Sequence, residues 1–337
     1  MEALRTRRRE RNSSTDRLRV PRLPLLRATG ALAAAAVGFS LRQLRFRLDD
    51  RAIPLTGMLA ALVFAGQMVN FPLFGLPVSG HLLGGVLAAT MLGPYAGCIA
   101  LTVVLIVQAV MFADGGLLSL GANVLNMAVV GSWGGGAIYA TLRRWCGNNC
   151  VSSVFAAVVA SYISILAAAS LFCLEFAGSM GQTPFDLQQL TWLMVLYHAM
   201  IGVGEAAITG AVLTFVWSRR PELLQSTGSE PELSVWRRLT TVGVACACTV
   251  AAVLSPWASE FPDGLEAVGE RVGFNARGHD SVLLFSDYLV PVPAGWESVS
   301  VSAAGVLGTL VVLTLGWLIV ARSTPPVRPV SDGSHAG

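Results

Sequence analysis

Val78-Ser79-Gly80-His81-Leu82-Leu83-Gly84-Gly85 sets an imidazole inside sequence of membrane-grade apolarity. Phe71-Pro72-Leu73-Phe74-Gly75-Leu76-Pro77 precedes it and Val86-Leu87-Ala88-Ala89 follows. Ionisable side chains are expensive at membrane depth and, where retained, face a cavity or a partner. Neutral imidazole also ligates nickel, cobalt, copper and zinc. The stretch therefore raises two readings together: a membrane fold, and a transition-metal site within it. A structural histidine bonded to a carbonyl is the plain alternative. Gly80, Gly84 and Gly85 favour a functional role, because glycine permits close backbone approach and unusual dihedrals.

Outward from this stretch the same character continues. Of 337 residues, 54% are hydrophobic and only 13% charged, with a mean hydropathy of +0.63. A soluble domain carries roughly twice that charged fraction. Several apolar stretches approach the ~20 residues that cross a bilayer. The expected fold is all-α, a polytopic integral membrane protein with about nine transmembrane helices, multi-pass in the cell membrane. The apolar segments lie near 25–41, 53–71, 79–94, 96–113, 118–141, 152–177, 190–217, 239–258 and 299–321. The third is short, and Gly93-Pro94 separates it from the fourth, as in a helical hairpin or a re-entrant element.

The net charge of +3 comes from arginine alone, since the chain has no lysine. Arginines crowd the loops at 42–51, 143–150 and 219–238 and are missing from those at 72–78, 112–117 and 178–189. The positive-inside rule then puts the N-terminus and the loop at 259–298 outside and the C-terminus inside. The arginine-rich N-terminal tail disobeys this assignment. Five regions follow: a basic disordered tail (1–22), a seven-helix membrane domain (23–218), a cytoplasmic linker (219–237), a two-helix module with an extracytoplasmic loop (238–322) and a disordered tail (323–337). The six cysteines form no C-x-x-C and no disulfide framework. H-E-x-x-H, G-x-S-x-G and the P-loop pattern are absent, so no enzyme is expected. If the chain moves a solute actively, another protein supplies the ATPase. No nucleic-acid partner is expected.

Residues 52–135 are dense in amides. Gln67 and Asn70 close the second segment, Gln108 lies in the fourth, and Asn123 and Asn126 open the fifth at i, i+3 on one helix face. Interhelical hydrogen bonding is the bland reading. Their clustering near His81 makes Asn70, Asn123 and Asn126 candidates to support a ligand or gate its path. His198 and Glu205, seven apart, share a helix face and form a candidate coupling pair. Gly30, Ala34 and Gly38 give small-xxx-small spacing, suited to close packing against another helix of this chain or of a separate subunit. Pro262-Asp263-Gly264 reads as a turn. The acids of the 259–298 loop either attract cations or are simply solvated.

These residues resemble a known family. Ile53 to Ala61, Gln67-Met68-Val69-Asn70-Phe71-Pro72, Ser79 to Gly85, Asp114-Gly115-Gly116 with Gly121-Ala122-Asn123 to Asn126, and His198 to Glu205 look like the membrane substrate-binding subunit of cobalt and nickel energy-coupling-factor (ECF) transporters, the CbiM/NikM type. Phe261-Pro262-Asp263-Gly264-Leu265-Glu266, between two helices, is similar to the accessory PDGLE component, here fused. The resemblance implies a subunit that captures Co(II) or Ni(II) as transported substrate, with no resident cofactor. It also implies a transmembrane coupling subunit and cytoplasmic ABC ATPases as partners, and cobalamin biosynthesis as a use for cobalt. In that family the metal is held by the N-terminal amine, a histidine at position 2 and a histidine matching His81. Here position 2 is Glu2, so His81 alone carries over as ligand. An incorrect gene start is one account of that departure. The rival reading is a diverged, non-metal-binding scaffold protein of the same fold. A membrane metalloenzyme is a weaker one, with a single well-placed histidine and no base motif.

Overall fold

The computed structural model describes residues 23–47, 52–147, 149–179, 185–221, 224, 233–273, 285, 288, 290, 293 and 296–323. The two tails, most of the linker and much of the 274–295 stretch lie outside them. Helices dominate: α1 (Leu23–Arg47), α2 (Ala52–Gln67), α3 (Gly85–Leu92), α4 (Pro94–Met111), α5 (Leu120–Asn123), α6 (Gly135–Cys146), α7 (Cys150–Ser179), α8 (Leu187–Arg219), α9 (Leu233–Thr249), α10 (Gly264–Val272) and α11 (Glu297–Ser323). A π-helical run, Val124–Gly134, joins α5 to α6 as one rod. Phe71–Pro72 (β1) and Ser79–Gly80 (β2) form a minimal antiparallel pair. Among the described residues, six helices are long and apolar enough to cross a membrane. The chain is an all-α, multi-pass membrane protein.

The reason for helix is the solvent. In hydrocarbon every backbone N–H and C=O must be satisfied internally, and a helix does this within one segment. Where the sequence breaks the pattern, the structure names the cause. Gly93 (φ 82) ends α3, and Pro94, whose missing N–H is harmless at a helix start, opens α4. Asp186 caps α8 by accepting from the amides of Gln188 and Gln189. Arg143 and Arg144 sit in the last turn of α6, which Gly147 (φ 95) closes.

The third apolar segment, expected as half of a helical hairpin or as a re-entrant element, is only partly helical. It is not a spanning helix. Its first part is the extended β2 strand and the loop that carries His81. Its second is α3, whose eight residues reach only about 12 Å at the usual rise. Non-helical backbone at this depth is tolerated only where protein buries it. Here α2, α8 and the loop before α10 do so.

Among the described residues, three of the five hydrophobic clusters tie the site-bearing elements together. Leu59, Ala88, Cys98, Leu101, Val124 and Ala128 join α2, α3, α4 and the π-helical run. Leu73, Val78, Cys173, Met194 and Tyr197 pack with Val268 of α10. Phe64, Val104 and Phe112 pack with Ala304, Val312 and Val320 of α11. The C-terminal helices are thus built into the bundle. The contact of α2 with α11 is a close one, because a Cβ on Gly57 would lie 2.8 Å from the Leu313 carbonyl oxygen. The small-residue spacing of α1 is only partly used within the chain. Gly30 meets Gly121, whose Cβ would lie 2.6 Å from the Gly30 Cα, while nothing lies within 4 Å of a Cβ on Gly38.

Candidate metal site

The His81 loop is held by polar groups that membrane burial makes obligatory. The Leu83 and Gly84 amides both donate to the Glu205 carboxylate of α8, at 2.6 and 2.8 Å. Glu205 is 1% exposed, so bulk solvent does not stand ready to substitute for it. Its position is the N-terminus of α3, where free amides and the helix dipole favour an anion. Gly84 takes φ 77 there, a value that disfavours any other residue. On the other side, Gln67 Nε2 donates to the Leu83 carbonyl at 3.0 Å, and Gln108 Nε2 donates to Gln67 Oε1 at 2.9 Å. Both amides of this relay are buried.

Within this cradle the Nδ1–H of His81 donates to the Leu82 carbonyl at 3.1 Å. A carbonyl can only accept, so Nδ1 carries a proton, which leaves Nε2 as the ring nitrogen able to serve a metal. Nε2 faces Asp263 Oδ2 at 3.8 Å. Asp263 is not in a simple turn. It caps α10, with Oδ1 accepting from the Leu265 and Glu266 amides, and the Glu266 side chain accepts from the Asp263 amide in return. The D-x-x-E spacing of this capping box was readable in the sequence. Burial first, then the charge of Asp263, raises the pKa of Glu266.

His81 lines a cavity of about 660 Å³ at the arginine-poor end of the bundle, shared with Gln67, Asn126, His198, Asp263 and Tyr288. Asn70 and Asn123 line it too. Asn70 gives its backbone carbonyl to the Ser259 amide. Asn123 Nδ2 donates to the Gly115 carbonyl at 3.0 Å and so braces the turn at Asp114. Ala113, Gly115 and Gly116 all have positive φ in that turn. The Tyr288 hydroxyl donates to Asp114 at 2.6 Å, and its ring stacks on Phe112. Burial and the adjacent Asp114 carboxylate push the Tyr288 phenol well above its usual value, so it remains a donor. Asn126 Nδ2 donates to Glu175 Oε2 at 2.8 Å. Glu175 is the one charge in the 30 residues of α7, a sequence signal for a polar partner at membrane depth.

His198 and Glu205 are not bonded to each other. His198 donates Nδ1–H to the Met194 carbonyl at 2.8 Å and lies beside Gly264, while Glu205 serves the Leu83 and Gly84 amides. The α8 backbone and the α3 N-terminus offer each a nearer partner than the other. Among the described residues no three His, Cys, Asp or Glu side chains converge as a metal cluster.

The family model for the cobalt uptake substrate-specific transmembrane region (CbiM) matches residues 22–223. The chain belongs to the CbiM family. A PDGLE domain model matches residues 237–323. The fused nickel transport protein NikMN of Rhodobacter capsulatus is 34% identical over 242 residues, covering 66% of this chain and 70% of its own. A protein of Archaeoglobus fulgidus that carries the NikMN name is 32% identical over 291 residues, covering 86% of this chain and 92% of its own. The crystal structure of a truncated transition metal transporter is 30% identical, covers 58% of this chain and 94% of that one, and superposes with a TM-score of 0.49. The CbiM-family chain is a membrane component of metal transport, not an enzyme.

Proposed function

We propose that this chain is the substrate-binding membrane subunit of an ECF-type ABC transporter that imports Co(II) or Ni(II), with His81 as a ligand. One observation carries the reading. Nε2 of His81 opens on a polar cavity at the arginine-poor end, while a network of buried amides and Glu205 fixes the loop behind it. Imidazole nitrogen suits both metals. Asn70, Asn123 and Asn126 shape the cavity and its rim. His198 and Glu205 hold separate positions on α8. The chain has no nucleotide-binding motif, so a transmembrane coupling subunit and cytoplasmic ABC ATPases drive release inward. For cobalt, the use served is cobalamin biosynthesis.

Equilibrium dialysis of the purified chain against Ni(II) and Co(II) tests this. Saturable binding of one ion per chain is expected, with His81→Ala reducing it at least about tenfold, in line with the effect of losing a site-determining group. Absence of saturable binding by the unaltered chain would favour the scaffold reading instead.

A further inference from the structure

Resting on that reading, we infer that the fused C-terminal module contributes a second metal ligand, the Asp263 carboxylate, so that the transported ion is bound between the two family domains. His81 Nε2 and Asp263 Oδ2 are 3.8 Å apart, too far for a hydrogen bond. With Nδ1–H committed to the Leu82 carbonyl, Nε2 is the ring atom turned toward the carboxylate oxygen. In its metal-ligating, neutral form the ring would face the carboxylate as a second acceptor, and a cation between the two removes their repulsion. One ion can bridge the gap, which falls between the separations of adjacent and opposite ligands. Metal–ligand bonds of about 2.1 Å place two donors about 3 Å apart when adjacent on the ion and about 4.2 Å apart when opposite.

Both donors are positioned by independent means. Asp263 Oδ1 is held by the amides of Leu265 and Glu266 at 2.8 Å each, which fixes the carboxylate and turns Oδ2 outward. The Ser79 amide donates to the Pro262 carbonyl at 2.8 Å, and the Ser79 hydroxyl donates to the Phe261 carbonyl at 2.7 Å. Ser79 is two residues from His81, and Pro262 adjoins Asp263. These bonds therefore set the two ligands opposite one another across the module boundary. The side chains are 30% and 28% exposed, open enough for an arriving ion to reach both. Two protein donors leave the remaining positions to water, which suits a cargo that must also be released. Asp263 also brings a negative charge to offset a divalent cation.

The test is Ni(II) and Co(II) binding by the full chain carrying Asp263→Ser. Serine keeps the helix cap but does not reach His81. The expected result is affinity weakened at least about tenfold with an unaltered unfolding temperature. Glu266→Gln serves as the charge control. It removes one negative charge from the same rim and retains the capping box, and binding should fall at most about threefold. Wild-type affinity in Asp263→Ser overturns the inference and leaves the function standing. Equal weakening by both substitutions also overturns it, because the effect is then that of field and not of ligation. If the unaltered chain binds neither ion, the functional reading falls first. Should Asp263→Ser fail to fold, Asp263→Asn, isosteric and an equally good cap, carries the same comparison.

Discussion

Glu205→Ala is expected to lower the stability of the folded chain by about 2–6 kcal/mol, the sum for two buried amides left without an acceptor at about 1–3 kcal/mol each. The opposing effect is real. Glu205 is a charge at membrane depth, and removing a buried charge relieves desolvation. Geometry decides between them. Its carboxylate accepts from Leu83 and Gly84 at 2.6 and 2.8 Å, at the first turn of α3, where the dipole adds to both bonds. Glu205 is only 1% exposed, so bulk solvent does not stand ready to replace the lost acceptor. Glu205→Gln retains one acceptor oxygen and should fall between alanine and the unaltered chain. Thermal unfolding in detergent measures the order. Because Leu83 is two residues from His81, metal binding should weaken in the same order. Identical unfolding temperatures for the alanine variant and the parent chain would show that the loop is held by something else.

The same residue shows where sequence reading succeeds and where it stops. A bilayer allows so few ways to satisfy backbone groups that long apolar runs such as Pro94–Met111 and Cys150–Ser179 announce themselves as helices. His81 was legible for the converse reason, since an imidazole among leucines and glycines needs an explanation. Partners were not legible. His198 and Glu205 stand seven apart on one helix, and helical periodicity invites pairing them. Yet the Glu205 acceptor requirement is met by amides at positions 83 and 84, far away in sequence. Those amides exist as free donors only because Gly84 (φ 77) starts α3 abruptly, and periodicity says nothing of dihedrals. Asp263 shows the opposite case. Pro-Asp-Gly is ordinary turn chemistry, but the glutamate three residues after the aspartate makes it a helix start, and only the fold brings that start to His81.

Gly85→Val is the second large effect, and it acts through steric exclusion. A Cβ at position 85 would lie 2.7 Å from both the carbonyl carbon and the Cα of Gly131, closer than real Cβ atoms approach backbone. Gly131 belongs to the π-helical run, so neither side of the contact is a flexible side chain that can turn away. α3 must therefore shift bodily. Overpacking of this kind costs about 1–3 kcal/mol and occasionally more, and here the shift also drags the Leu83 and Gly84 amides off Glu205. A fall in stability of about 3 kcal/mol or more, with loss of metal binding, is the expected outcome. Gly38→Ala supplies the comparison. It too lies within a helix, but nothing stands within 4 Å of its Cβ, and alanine in place of helical glycine should be neutral or favourable by up to about 1 kcal/mol. If the two variants unfold at the same temperature, contact with Gly131 does not set the position of α3, and the fixed placement of His81 must then come from β2, Gln67 and Glu205.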